Sequence, residues 1–205
     1  MTDAPIIIDA GPSLNFFATD NERILFRVVQ KNLHAPETVR SEVFAKSRSD
    51  GRFSKAGGVW MKVEPNLIEI LSDTPTAALN AAAVSVIGSP LAQRQRQAKD
   101  LGEVMVVIHA VSLANTGRNV GVIIDDGGGR ALANAQRARL DRLRQQGKTV
   151  GTIDVYNTER ILEMAAGTKE LPDRAAMRKI YEQLRSRDDG LRPIKQTRLL
   201  GPATW

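Results

Sequence analysis

The 205-residue chain contains no cysteine, which excludes disulfides, thiolate metal sites and cysteine nucleophiles. It has only two histidines, His34 and His109. Neither has a serine and an acid at an interpretable spacing, so a Ser–His–Asp hydrolase is disfavoured. His109 lies in an apolar segment and is expected to be a core histidine rather than a ligand. No hydrophobic run approaches the ~20 residues of a membrane span or forms a signal peptide. We therefore expect a soluble, cytoplasmic protein with no membrane partner.

The chain is basic. Lys and Arg number 29 against 23 Asp and Glu, the net charge is +6, and the pI is about 9.9. Because a positive surface attracts polyanions, nucleic acid is the first partner to expect, and a basic protein without such a partner is the alternative. The length suits one domain with an appendage.

Acidic residues stand where the most hydrophobic runs of the sequence stop. Asp9 follows three isoleucines, and the Asp125–Asp126 pair follows a valine and two isoleucines. Short β-branched runs of this kind are typical of parallel strands that helices cover on both faces. Such a sheet brings the carboxyl ends of its strands to one edge. The pattern predicts that these acids gather there with two others, Glu42 and Glu103, into a metal site.

Strand and helix signals alternate along the chain. They predict an α/β fold, a three-layer α/β/α sandwich around a central, mostly parallel sheet. The predicted strands cover residues 5–9, 67–71, 120–124 and 149–153. Gly11-Pro12-Ser13 is expected to form a turn and residues 48–58 a mobile loop, because both are rich in residues that favour irregular structure.

The C-terminal part has a different composition. From residue 168 onwards apolar residues become sparse, and the spacing predicts one helix over 172–187 followed by an irregular tail. We therefore divide the chain into a main α/β domain over 1–167 and a C-terminal helical extension over 168–205.

Four short motifs occur in an order that resembles one protein family. They are IIIDAGPSL, a proline-led helix carrying SEV, DLGE at the start of a long apolar helix, and IIDDGGGRALA. Over roughly residues 5–155 they are similar to the PIN-domain nucleases, in the branch with DxGE and a strand ending in DD. The resemblance implies a metal-dependent endoribonuclease that cleaves single-stranded or structured RNA. Many members are toxins of toxin–antitoxin pairs, which implies an antitoxin protein as partner, with a homodimer as a further arrangement.

The resemblance also implies an acidic pocket that holds Mg²⁺ or Mn²⁺. Its catalytic acids and metal ligands would come from six residues: Asp9, Glu42, Asp100, Glu103, Asp125 and Asp126. The chemistry of the residues favours the same metal, because carboxylate oxygens are the hard donors that Mg²⁺ prefers. The carboxylates would act as ligands rather than as acid–base groups.

Each of these acids also has a purely structural interpretation. Asp9 can close an Asx turn, and Glu42 can be a solvated helix residue. Asp100 with Glu103 fits a capping box. Asp126 can cap the helix that begins in the glycine run, which would leave its neighbour for the metal.

Basic residues are candidates for binding substrate phosphates. Arg130 comes one turn after the Asp pair, near a helix start that favours anions, and Lys46 and Arg48 follow the SEV motif. Aromatic residues make up only 4% of the chain, so stacking platforms for bases are scarce, and Phe53 and Trp60 are faint candidates.

Two other classes of function remain open. A phosphatase of the haloacid-dehalogenase type also has an Asp after its first strand and a late DD pair, but Gly11 stands where its second Asp belongs. A catalytically silent RNA-binding module would keep the fold and the basic surface. Metal-dependent cleavage of RNA separates the three classes.

Overall fold

A five-stranded sheet forms the centre of the protein in the computed structural model, which describes residues 4–30, 33–188 and 190–205. The strands are β1 (Ile6–Ile8), β2 (Leu33–Pro36), β3 (Ile68–Leu71), β4 (Val120–Ile123) and β5 (Ile153–Tyr156). Their order is β3-β2-β1-β4-β5, and every neighbouring pair is parallel. The predicted three-layer α/β/α fold is confirmed.

Helices cover the sheet. In chain order they are α1 (Ala10–Ala18), α2 (Glu22–Val29), α3 (Glu37–Ser49), α4 (Ala56–Val63), α5 (Ala77–Ile87), α6 (Leu91–Arg94), α7 (Leu101–Asn115), α8 (Gly127–Gln145), α9 (Thr158–Ala165) and α10 (Arg174–Arg185). The largely apolar α7 packs against β1, β2, β4 and β5, so it crosses most of one face. No helix in the described ranges is long and apolar enough to cross a membrane.

The strand order reverses between β1 and β4. From β1 the chain proceeds to β2 and β3 on one side, whereas β4 and β5 lie on the other. The backbone N–H of Asp9 donates to the carbonyl of Ile123 at 3.0 Å, so the segments that follow β1 and β4 start side by side. Open α/β sheets bind ligands in the crevice at this kind of reversal.

The C-terminal segment shares the core of the sheet. Leu171, Met177, Tyr181, Leu184 and Leu199 are all fully buried and belong to the same hydrophobic cluster as the strands. Because burial of large apolar side chains stabilises by about 1.5–3 kcal/mol each, these residues hold the segment firmly against the rest of the molecule. The residues after α10 are mostly irregular, as predicted.

The predicted mobile loop at 48–58 is wrong. The segment continues α3 to Ser49, then forms a 3-10 turn over Gly51–Phe53 and the first residues of α4. Phe53 is 8% exposed and Trp60 is fully buried, so the apolar anchors override the polar composition. For the same reason neither ring is available to stack on a base.

Other boundaries differ from the sequence-based predictions. Gly11-Pro12-Ser13 was expected to form a turn but lies inside α1. Pro12 is the third residue of the helix, where a backbone N–H would have no intrahelical acceptor, so the helix tolerates a residue that lacks this N–H. The last strand starts at Ile153, where the prediction had it end. Strand β2 was not predicted, and Pro36, expected as the first residue of α3, is instead the last residue of β2.

Candidate metal centre

A cavity of about 360 Å³ opens at the carboxyl edge of the sheet, beside the ends of β1 and β4. Five of the six predicted acids line it: Asp9, Glu42, Glu103, Asp125 and Asp126. The sixth, Asp100, lines a neighbouring cavity of about 300 Å³ that shares three of those acids. The fold thus brings together all the carboxylates that the sequence singled out, and we call the larger cavity the acidic pocket.

Asp9 is the most deeply buried of these acids, with 5% of the residue exposed. Burial raises the pKa of Asp9 to about 7, helped by the charges of Glu42 and Asp125 and opposed by the nearby N–H groups of Ala10 and Gly11. Asp9 occupies the N-cap position of α1, but its side chain makes no capping hydrogen bond. Ionisation of this buried carboxyl group is therefore costly.

Gly102 leaves the space into which two carboxylates reach. A Cβ atom at this position would lie 2.7 Å from Oε2 of Glu42 and 3.5 Å from Oδ1 of Asp9. Only a residue without a side chain allows both groups to approach the start of α7 in this way. Glu42 stands at the rim with much of its side chain exposed, and desolvation of its carboxylate raises its pKa.

Glu103 lies in the first turn of α7 and points into the pocket. Burial, together with the charges of Asp9 and Asp126, raises the pKa of Glu103 to about 8. The predicted capping box does not form. Asp100 occupies the N-cap position in a left-handed conformation (φ 53°), but its side chain makes no capping hydrogen bond. Helix capping therefore does not account for Glu103.

The two aspartates after β4 have different roles. Asp126 caps α8, since its Oδ1 accepts hydrogen bonds from the N–H groups of Gly128 at 2.5 Å and Gly129 at 3.3 Å. The alternative in which Asp126 caps a helix is thus confirmed. Burial alone would raise the pKa of Asp126, but these hydrogen bonds lower it. Asp126 therefore remains a carboxylate at the edge of the pocket.

Asp125 is held by the residue that starts α9. Its two oxygens accept from the backbone N–H of Thr158 at 2.7 Å and from the Thr158 hydroxyl at 2.6 Å. Burial nevertheless raises the pKa of Asp125 to about 6, with a contribution from Asp188, while the Thr158 bonds and Arg130 oppose the rise. Each oxygen keeps a lone pair for another ligand.

The donor set fits Mg²⁺ or Mn²⁺ in its chemistry. All the groups are carboxylates. Three of them have pKa values raised to about 6, 7 and 8, chiefly by burial and also by neighbouring acids. Within the described ranges, no three His, Asp or Glu side chains already stand in an arrangement that could hold a metal ion. A cation in this pocket would therefore need some of the carboxylates to move from their present positions.

The predicted basic residues lie at different distances from the pocket. Arg130 lines it. Burial raises the pKa of Glu42, and the nearby charge of Lys46 opposes this rise. Arg48 is exposed in the last turn of α3. Neither Lys46 nor Arg48 is among the lining residues of the acidic pocket.

His109 is a core histidine, as predicted. It is 6% exposed, and its Nε2 lies 2.8 Å from Oδ1 of Asp73. Oδ2 of Asp73 accepts from the backbone N–H of Thr38 at 2.7 Å and from its hydroxyl at 2.5 Å. Burial alone would raise the pKa of Asp73, but these hydrogen bonds together lower it. The pair ties α7 to the start of α3, the helix that carries Glu42.

Sequence analysis missed one acid of the pocket. Asp188, from the segment after α10, lines it together with Gly190 and Leu191. The buried Asn15 of α1 donates to Oδ2 of Asp188 at 2.6 Å. No local pattern marks Asp188, because its partner lies 173 residues away in a different part of the sequence.

No protein-family model matches the chain, and neither does any curated protein or solved structure. The similarity to PIN-domain nucleases therefore rests on the four sequence motifs. The fold and the site define a parallel α/β protein with a carboxylate-lined pocket at the point where its strand order reverses.

Proposed function

We propose that this protein is an endoribonuclease that requires Mg²⁺ or Mn²⁺. The observation that carries the proposal is the convergence of carboxylates from five separate segments on one pocket at the strand-order reversal. Hard oxygen donors gathered in this way suit divalent cations that also bind phosphate. The excess of Lys and Arg over Asp and Glu in the whole chain favours a polyanionic substrate.

Asp9, Glu103 and Asp125 are the residues that would hold the cation, with Glu42 and Asp126 at the rim. A divalent cation supplies an activated water and neutralises charge on the scissile phosphate. The protein's contribution is orientation. Thr158 fixes the carboxylate of Asp125, and burial at the end of β1 keeps Asp9 away from bulk water.

Arg130 is the pocket residue best suited to bind substrate. Its charge already opposes the rise in the pKa of Asp125 that burial causes, so the two groups interact. A guanidinium in this place can pair with two oxygens of a phosphate and hold it against the carboxylates. Lys46 and Arg48, outside the pocket, add to the long-range attraction of RNA.

The two alternatives receive less support. For a haloacid-dehalogenase-type phosphatase, the residue two positions after Asp9 is Gly11, which lies inside α1 and carries no acid. For a silent RNA-binding module, clustered carboxylates with pKa values of about 7 and 8 would reduce stability without serving binding, since they repel phosphates.

The test is cleavage of an end-labelled single-stranded RNA by purified protein. We expect cleavage with Mg²⁺ or Mn²⁺, none in excess EDTA, and loss of activity in Asp9→Asn. Asp20→Asn is the matched control. Asp20 is an exposed acid in the loop after α1, and asparagine tolerates the left-handed backbone conformation of this position. Undiminished cleavage in EDTA contradicts the proposal. Release of phosphate from p-nitrophenyl phosphate without RNA cleavage would favour the phosphatase.

The proposal extends to a protein partner. An unguarded ribonuclease harms the cell that makes it, so we propose that this chain is the toxin of a toxin–antitoxin pair. An antitoxin that contacts basic residues at the rim should bind in a salt-dependent manner. Growth arrest on expression of wild type but not of Asp9→Asn is the expected result, and normal growth with active wild-type protein contradicts the toxin role.

A further inference from the structure

A second cavity, of about 580 Å³, adjoins the acidic pocket and has no role in the reaction proposed above. Residues of α8, of β5 and of α9 line it, and Arg130 lines both cavities. The two cavities therefore meet at the residue best placed to hold a substrate phosphate. We call the second cavity the α8–α9 groove.

Several charges in the wall of this groove are already neutralised. Arg160 pairs with Glu163 at 2.9 Å. Glu159 pairs with Arg192 of the C-terminal segment at 2.6 Å. The two glutamates of the wall are therefore compensated, and they do not set its electrostatic character.

Two arginines and one aspartate remain without such partners. Arg130 and Arg137 make no ion pair within the described part of the chain, and the same holds for the exposed Asp154. The groups of the groove outside ion pairs are thus two cations and one anion, and one of the cations, Arg130, also acts on Asp125 of the acidic pocket. Because Arg130 and Arg137 lie seven residues apart on α8, they are about two helical turns, or ~10.5 Å, apart along its axis. That spacing allows them to contact different phosphates of one strand.

The uncharged residues of the groove suit a nucleotide. Tyr156, at the end of β5, is partly exposed, so its ring can stack on a base. Asn157 accepts a hydrogen bond from the N–H of Arg160 through its Oδ1, which leaves its NH₂ group to donate. Asn134 is exposed on the facing side of the groove.

We propose that the α8–α9 groove binds the RNA strand on one side of the scissile phosphate. Arg130 marks the junction with the acidic pocket, Arg137 contacts a phosphate further along, and Tyr156 packs against a base. The identity of the ligand as RNA rests on the proposed function. The position of the groove also predicts the direction in which the RNA strand leaves the acidic pocket.

The experiment measures binding without cleavage. A fluorescent single-stranded RNA of about ten nucleotides, long enough to cover both cavities, is titrated with Asp9→Asn protein in EDTA at several salt concentrations. Adding Arg137→Gln should weaken binding roughly threefold to tenfold at low salt and reduce the salt slope by about 0.7, the value for one phosphate contact on a single strand. Arg142→Gln is the matched control, an exposed arginine on the same helix that does not line the groove.

Asp154→Asn gives a test of opposite sign. Removing the unpaired carboxylate of the groove should tighten binding, a result that a damaged fold does not produce. Equal losses in Arg137→Gln and Arg142→Gln would show binding by a diffuse basic surface and overturn the inference, as would unchanged affinity in both Arg137→Gln and Asp154→Asn.

The two proposals fail separately. Metal-dependent cleavage by wild type, with no effect of the groove substitutions on binding, overturns the groove and leaves the ribonuclease. Groove-dependent binding by Asp9→Asn, with no cleavage by wild type in Mg²⁺ or Mn²⁺, supports the groove and overturns the ribonuclease.

Discussion

Glu103 and Asp126 both face Gly128 at the start of α8, where a Cβ atom would lie 3.0 Å from Oδ1 of Asp126 and 3.9 Å from Oε2 of Glu103. The pKa values of the two carboxyl groups move in opposite directions: burial, together with the neighbouring acids, raises the pKa of Glu103 to about 8. Asp126 stays ionised because the N–H groups at the start of α8 bind it, although burial opposes this. The raised pKa of Glu103 means that protonation can offset part of the negative charge that a cation would otherwise compensate.

The first prediction concerns pH and the metal-free protein. The pKa of Asp9 rises on folding from 3.8 to about 7, and that of Glu103 from 4.5 to about 8. Because the folded state binds these protons more tightly than the unfolded state, raising the pH through this window destabilises the fold. We expect the free energy of unfolding in EDTA to fall by at least about 1 kcal/mol between pH 5 and pH 8. Urea denaturation at both values checks this, and higher stability at pH 8 contradicts it.

The second prediction concerns removal of one charge. Asp9→Asn should stabilise the metal-free protein at pH 8 by on the order of 1 kcal/mol, because it removes a buried charge that the other acids repel. It should also flatten the pH dependence. Thermal melts in EDTA at pH 5 and pH 8 measure both effects, and a lower melting temperature for the variant at both values would mean that Asp9 is only a structural turn residue.

The third prediction concerns metal. Mn²⁺ at a hundredfold excess over its dissociation constant should stabilise wild type by about 2.7 kcal/mol. Asp9→Asn should respond much less, since it lacks one ligand. Thermal melts with and without Mn²⁺ give the comparison, and Asp20→Asn serves as the control. Equal responses from all three proteins would exclude a metal site at this pocket.

The fourth prediction uses Gly102. A methyl group there meets Oε2 of Glu42 at 2.7 Å, and this oxygen is the end of a flexible side chain that can move away. Gly102→Ala should therefore keep the stability of the metal-free protein within about 1 kcal/mol of wild type, since alanine also favours helix, and weaken Mn²⁺ binding. Gly58→Ala is the control, because its methyl group has open space in α4. Unchanged Mn²⁺ affinity in Gly102→Ala would remove Glu42 from the site.

The fifth prediction concerns the support beneath Glu42. Asp73→Ala leaves His109 and the first turn of α3 without their buried acceptor, which should cost about 1–3 kcal/mol of unfolding free energy. Asp141→Ala, which breaks an ion pair of a partly exposed acid with Arg144, should cost about 1 kcal/mol or less. Urea denaturation compares the two. Similar losses would mean that the Asp73 network contributes no more than a surface pair.

Sequence patterns predicted the parts of the site that depend on local order. Asp9 and Asp125 follow β-branched runs that are typical of central strands, and Asp126 stands before a glycine-rich helix start. By contrast, Phe53 lies in the polar segment 48–58, where local composition indicates a loop, and only its burial in the core reveals the ordered structure. The four residues of β2 end in proline, so the strand gives little local signal.

Contacts between distant residues could not be predicted in this way. Asp73 meets His109 across 36 positions, and Asn15 meets Asp188 across 173. A single carboxylate in a charged segment resembles any solvated residue until the fold brings its partner close. The close approach of Glu42 to Gly102 could not be predicted either, because the DLGE motif contains the glycine but gives no sign of the side chain that approaches it from α3.

The place of Asp188 and Leu191 in the pocket wall has a consequence for synthesis of the chain. A ribosome makes β1, α3, α7 and β4 first, yet one wall of the pocket is absent until residue 191 has been added and has left the exit tunnel. Until that point the nascent chain carries an unfinished pocket. If the proposed activity is correct, a chain truncated before Asp188 would present RNA with an incomplete site.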